Sequence, residues 1–152
     1  MRRAVLVSLT AAAILASGCG GHTVTKKDVI ARANGICVNT LRAVRGVHPP
    51  GNTSLTALAT YLGKVAPIID KEASDTRSLP RPAQDRTVLD RYVNAVSTSA
   101  TQYRALATAA KSGNAAAVSQ ALAALRANPA PGLAGQYGLT ECSASAGTKA
   151  PS

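Results

Sequence analysis

Apolar residues recur along this chain three and four positions apart, the period of a helix with one buried face, and nowhere do they alternate singly as in a half-buried strand. Val29, Ala33, Ile36, Cys37, Leu41 and Val44 make the first stripe, with Lys27, Arg32, Arg42 and Arg45 largely off it. Thr25 stands in the capping position before that stripe, and Asp28 follows three residues later as its reciprocal partner. The loop "GVHPPGNT" ends the helix, because its prolines and glycines penalise continuation, and Thr53 or Ser54 caps the next. Leu55, Leu58, Ala59, Leu62, Val65, Ala66, Ile69 and Ala73 form a second stripe, in which Pro67 predicts a kink or a shifted boundary.

After "SLPRP" a third pattern opens with Pro82 near its first turn and Asp85 close to the positive end of the helix dipole. Val88, Leu89, Tyr92, Val93, Val96, Ala100, Tyr103, Leu106, Ala107 and Ala110 form the longest stripe of the chain. In "KSGN", Gly113 suits a left-handed stop and Asn114 caps a fourth helix, which faces Val118, Ala121, Leu122 and Leu125 inward. Pro129 and Pro131 interrupt that helix, after which a short helical turn carries Leu133 and Tyr137 back toward the others. The pattern predicts an all-α, up-and-down bundle of about four helices over residues 26–142, with a disordered tail over 143–152.

Composition changes this picture in one respect. The chain of 152 residues has no Trp, no Phe, one Met and four Tyr, so its core is built from alanine with scattered Leu, Val and Ile. Alanine buries little area, and at about 25 cal/mol per Å² such a core gains less than one with aromatic anchors. A covalent staple would compensate.

The first eighteen residues do not belong to the bundle. Arg2 and Arg3, the apolar run from Ala4 to Ala16, and the small residues Ser17 and Gly18 have the layout of a secretory signal. The run is well short of the ~20 residues that a helix needs to cross a bilayer. "LASGC" resembles the bacterial lipobox, in which Leu, then Ala or Ser, then Gly or Ala precede a cysteine whose sulfur accepts a diacylglyceryl group. Ser17 and Gly18 match, and Ala16 stands where Leu is commonest. The resemblance implies cleavage before Cys19, palmitate-type acyl chains on Cys19, and a flexible Gly-rich tether over 19–25. It also implies residence at the outer face of the cytoplasmic membrane. The alternative is an ordinary signal that leaves Cys19 as a free thiol.

Export to an oxidising compartment favours paired cysteines, and the chain has three. With Cys19 acylated, Cys37 and Cys142 remain as a pair closing a loop of about a hundred residues, a constraint that stabilises by about 4 to 5 kcal/mol in the chain-entropy model. Unpaired, Cys37 would be a small buried hydrophobe and Cys142 a thiol at a frayed end.

Two short motifs, "RANGICVNT" and "YGLTEC", carry a wider resemblance. Ala33, Asn34, Ile36 and Cys37 in the first, and Gly138, Leu139 and Cys142 in the second, resemble a group of small exported proteins and lipoproteins of high-GC actinobacteria. They share an Ala-Asn-x-Ile-Cys first helix and a Gly-Leu-x-x-Cys ending. That resemblance implies a helical bundle with a terminal disulfide and brings no established activity. The Pro129/Pro131 stretch departs from the continuous last helix it would suggest.

The formal net charge is +10, and removing the signal lowers it by two. A basic exported domain is drawn to anionic lipid headgroups or to anionic wall polymers. Arg77, Arg81, Arg86 and Arg91 form the densest basic run, but Asp75, Asp85 and Asp90 interleave with it, as on a solvated surface. Without a stacking platform or a recognition motif, the charge does not read as nucleic-acid binding.

No convergent catalytic set stands out. His22 and His48 lie in the tether and a Pro-rich loop, with no carboxylate at metal-ligand spacing, so neither a metal nor a cofactor is implied. Asp70, Glu72 and Asp75 cluster beside Lys71 and Arg77 and read as an exposed charged face. Tyr92 and Tyr103 stand three helical turns apart on one face, as core packing or as the lining of a ligand cleft. The sequence therefore predicts a membrane-anchored, non-catalytic envelope protein that engages a partner, the alternative being a small-ligand module with a cleft at Tyr92 and Tyr103.

Overall fold

A computed structural model describes residues 23–52 and 54–144. The signal-like segment, Cys19 and the residues after Ala144 lie outside the described residues. Within them the chain is helical: α1 (Lys26–Arg45), α2 (Leu55–Arg77), a 3-10 turn (Ala83–Asp85), α3 (Arg86–Lys111), α4 (Ala115–Arg126), α5 (Ala130–Tyr137) and α6 (Thr140–Ala144). The expected all-α bundle is present, with the short helix expected at Leu133 and Tyr137 appearing as α5 and one further short helix, α6, added at its end. Ser143 and Ala144, expected at the start of the 143–152 tail, belong to α6, and the rest of that segment lies outside the described residues.

α1, α2 and α4 each start on a side-chain cap. The Thr25 hydroxyl accepts from the Asp28 amide, and the Asp28 carboxylate accepts from the Thr25 amide at 2.9 Å, a complete capping box. Ser54 caps α2 by accepting from the Ala57 amide at 3.1 Å, and Asn114 caps α4 by accepting from that of Ala117 at 3.0 Å. Asp85 precedes α3 but makes no side-chain cap; its carboxylate accepts from the Tyr137 hydroxyl instead, at 3.2 Å. α2 runs unbroken through Pro67, and the boundary does not shift. Pro67 and Gly63, whose carbonyl loses its partner, are both exposed, so water can take the place of the missing amide while Val65, Ala66 and Ile69 hold the inner face.

The helices pack in chain order: α1 on α2, α2 on α3, α3 on α4 and α5, with α6 returning to α1. Because α3 is covered on several sides, its buried face is wider than its stripe and takes in Ala95 and Ala109 as well. Two core clusters result. The larger, with Val29, Leu89 and Leu139 fully buried, joins the start of α1 to the start of α3 and the last two helices; the smaller joins Leu62, Leu106, Ala110 and Val118 around α4. Ala33, Ala73, Ala100 and Ala134 are buried to 1% exposure or less, small residues that fill close-packed interior positions with little bulk. Leu79, in the loop before the 3-10 turn, is also buried.

The break after α4 is a built corner. Pro129 and Pro131 supply no amide, and the Asn128 side chain anchors the turn: its amide donates to the Ala95 carbonyl and to Gln102 Oε1, and its carbonyl accepts from the Ala130 amide at 2.9 Å. α5 then ends on Gly138 at φ 96°. The Leu139 amide reaches the Ala134 carbonyl at 2.8 Å and the Gly138 amide that of Gly135 at 3.1 Å, the Schellman pattern that reverses the chain into α6. Gly113, at φ 70°, ends α3 in the same way. A Cβ at Gly138 would meet only Ile30 Cδ1, at 3.5 Å, so the left-handed backbone sets the cost of substitution. Gly138→Ala should therefore lower the unfolding free energy by about 1–2 kcal/mol, read as a lower urea midpoint with an unchanged slope. An unchanged midpoint would show that this turn is not held in the left-handed form.

Candidate functional site

The corner at Gly138 delivers Cys142 to α1. Cys37 and Cys142 Sγ stand 2.04 Å apart, with their Cα atoms 5.2 Å apart, so the pair is at disulfide distance. Asn34, one turn before Cys37, accepts from the Glu141 amide at 3.2 Å. The two short motifs thus meet: the first helix receives the last through a covalent bond and a hydrogen bond.

Beside this bridge lies a strongly perturbed carboxyl. Glu72, on α2, has Oε1 at 3.7 Å from Cys37 Sγ, and Tyr92 Oη on α3 is also 3.7 Å from that sulfur. A disulfide sulfur carries no hydrogen, so it can only accept, from the Tyr92 hydroxyl and from Glu72 in its protonated form. Among the described residues three ion pairs occur, and none involves Glu72. Burial accordingly pushes the Glu72 carboxyl up from 4.5 to about 7. Tyr92 is raised by burial and then by the nearby Glu72 charge, and Tyr103 by burial, Tyr61 and Glu72 in turn. Glu72 and the three tyrosines form a polar seam between α1, α2 and α3.

This seam corrects the reading of Asp70, Glu72 and Asp75 as one exposed face. Asp70 pairs with Arg104 at 2.5 Å and Asp75 with Lys71 at 2.7 Å on the surface, but Glu72 turns inward. A signal was present: Glu72 follows Val65 by seven residues and Ile69 by three, which puts it on the edge of the buried stripe. Tyr92 is 2% exposed and Tyr103 half-buried, in keeping with packing at the core and its rim. Two surface hollows, of about 410 and 280 Å³, lie along the α1–α2 seam and share Ile36, Asn39 and Asp75; neither is lined by Tyr92, Tyr103 or Glu72.

At the other end of the larger core, burial and the Asp85 charge push the Tyr137 hydroxyl up to about 12, and Lys26 Nζ sits 4.7 Å from the centre of its ring. This cation–π contact ties the first turn of α1 to α5. His48 is exposed, and no group of three or more His, Cys, Asp or Glu among the described residues could hold a metal ion. No described helix is long and apolar enough to cross a membrane. Cys19, the expected lipidation site, lies outside the described residues. Comparison with known protein families, with curated proteins and with solved structures returned no match.

Proposed function

We propose that this chain is an exported lipoprotein, held at the outer face of the cytoplasmic membrane by acyl chains on Cys19, and that its bundle works by engaging a partner in the cell envelope rather than by catalysis. One observation carries the reading: with Cys37 and Cys142 at disulfide distance, Cys19 is the odd cysteine, and it is the one that follows the signal-like segment in a lipobox-like setting. A disulfide needs an oxidising compartment, which export supplies. A single acyl chain binds a membrane only reversibly, so two or three on one residue make the stable anchor.

Binding is favoured over catalysis by where the titratable groups sit. Glu72, a carboxyl tuned near neutrality, packs against a disulfide and lines neither surface hollow. The charged groups of the chain are instead mostly lysines and arginines, which suits anionic lipid headgroups or wall polymers. Mass analysis of the mature N-terminus tests the anchor: we expect a diacylated or triacylated Cys19, and a Cys19→Ala chain that is neither processed nor retained on membranes. An unmodified N-terminus released into the medium would refute it.

A further inference from the structure

No carboxylate occurs between Asp28 and Asp70, nor between Asp90 and Glu141. The antiparallel course of α1, α2 and α3 turns these two sequence gaps into one region of the bundle. At the near end, which holds the first turns of α1, the last of α2, the first of α3 and helices α5 and α6, acids and bases alternate and pair, as in Lys71–Asp75 and Arg81–Asp90. At the far end stand the last turn of α1, the first half of α2 and the last turn of α3. Arg42, Arg45, Lys64 and Lys111 project there, all exposed and, among the described residues, in no ion pair. Asp70, the carboxylate that approaches that end among the described residues, is engaged by Arg104.

We infer that this far pole is a docking surface for an anionic cell-wall polymer with one negative group per repeat, and not for the membrane that holds the anchor. The inference rests on the Cys19 anchor proposed above: Cys19 lies seven positions before Lys26, which brings the near end toward the lipid. α1 has 20 residues and spans about 30 Å. The field of the headgroups decays over about 8 Å at physiological salt, so cations at the far pole of an upright bundle lie beyond it. Their arrangement also fits a polymer. Four cations spread over three helices, none lining either surface hollow, can neutralise successive charges along a flexible chain without enclosing any one group.

The test uses the full-length chain purified in detergent and a synthetic poly(glycerol phosphate) as probe. Affinity is measured as a function of salt for two charge variants. Arg42→Gln/Arg45→Gln/Lys64→Gln/Lys111→Gln removes the far pole; Lys27→Gln/Arg32→Gln/Arg86→Gln removes exposed cations of the near end. The far variant should bind at least tenfold more weakly with a flatter salt dependence, because fewer counterions are released, and the near variant should change by less than twofold. Helix content, read by circular dichroism, should match in all three proteins; a far variant that has lost it is replaced by the four single substitutions, each expected to weaken binding. Failure of the parent chain to bind at physiological salt, or a near variant weakened as much as the far one, would overturn the assignment. So would vesicles of phosphatidylglycerol whose binding to the Cys19→Ala chain depends on the far pole, since the surface would then be a membrane contact. Polymer binding does not require acylation, so it can fail while Cys19 proves lipidated, and the reverse.

Discussion

Replacing Cys37 and Cys142 together by alanine is expected to lower the unfolding free energy by about 4 kcal/mol, the chain-entropy value for a loop of 105 residues less any strain. For a domain of this size that is a fall in Tm of roughly 15 °C. The effect is large relative to the whole, since domains are commonly stable by only about 5–15 kcal/mol. It is large here for a reason specific to this chain: α6, with five residues, is too short to hold itself helical in water, and its buried residues are Cys142 and, just before it, Leu139. Thermal unfolding of the double variant, with and without reductant, checks this. Reductant should lower the Tm of the parent chain to that of the variant and leave the variant unmoved. A double variant as stable as the parent would mean that packing alone holds the last helix.

Glu72→Gln is expected to stabilise the protein, and only at neutral and alkaline pH. The folded state holds the Glu72 proton with an affinity near pH 7, against an ordinary 4.5, so folding binds a proton and stability falls as pH rises between those values. Below about 4.5 the carboxyl is protonated folded and unfolded, and the variant should match the parent. Above 7 the parent must keep a charge against the disulfide without a cation to pair it, or pay for its protonation, at about 1.4 kcal/mol per pH unit of displacement. Glu72 is half-buried, and solvent screens part of this, so a gain of about 1–3 kcal/mol at pH 8 is expected. Urea midpoints at pH 4.5 and pH 8 decide it. An equal gain at both would mean that the amide improves packing and that the carboxyl does not titrate as described.

The elements legible in the sequence were those fixed by short-range chemistry. Thr25 with Asp28, Asn114 and Gly113 each act within a few residues, and the structure uses them as read. The α3 stripe was legible for the same reason, because a run of that length keeps its period. What escaped was set by contacts between distant segments. Leu79 sits in a Pro-rich loop and is buried only because the folded bundle brings it into the larger core cluster. α6 is helical only because Gly138 reverses the chain and Cys37 receives it. Glu72 sits at the edge of its stripe, where the neighbouring helices decide whether a side chain meets water or the core. Pro67 lies inside α2 without ending it, because the penalty for a proline within a helix depends on which side the lost hydrogen bond faces. For the bridge, parity among three cysteines was informative where geometry was not yet known.

The bridge also sets how the molecule responds to pulling. A chain tethered at one end and gripped elsewhere bears load, and force applied to its two termini enters α1 at Lys26 and α6 at Ala144. Only the residues before Cys37 and those after Cys142 can be drawn out, because tension then passes directly through the sulfur–sulfur bond. The 105-residue loop, about 360 Å when fully extended, remains slack while the bond holds. Load would strip the first turns of α1, including the Lys26 contact with Tyr137, and leave α2, α3 and α4 under no tension. In its oxidised form the domain is a stiff link of short extensible length, and reduction would turn the same chain into a long one.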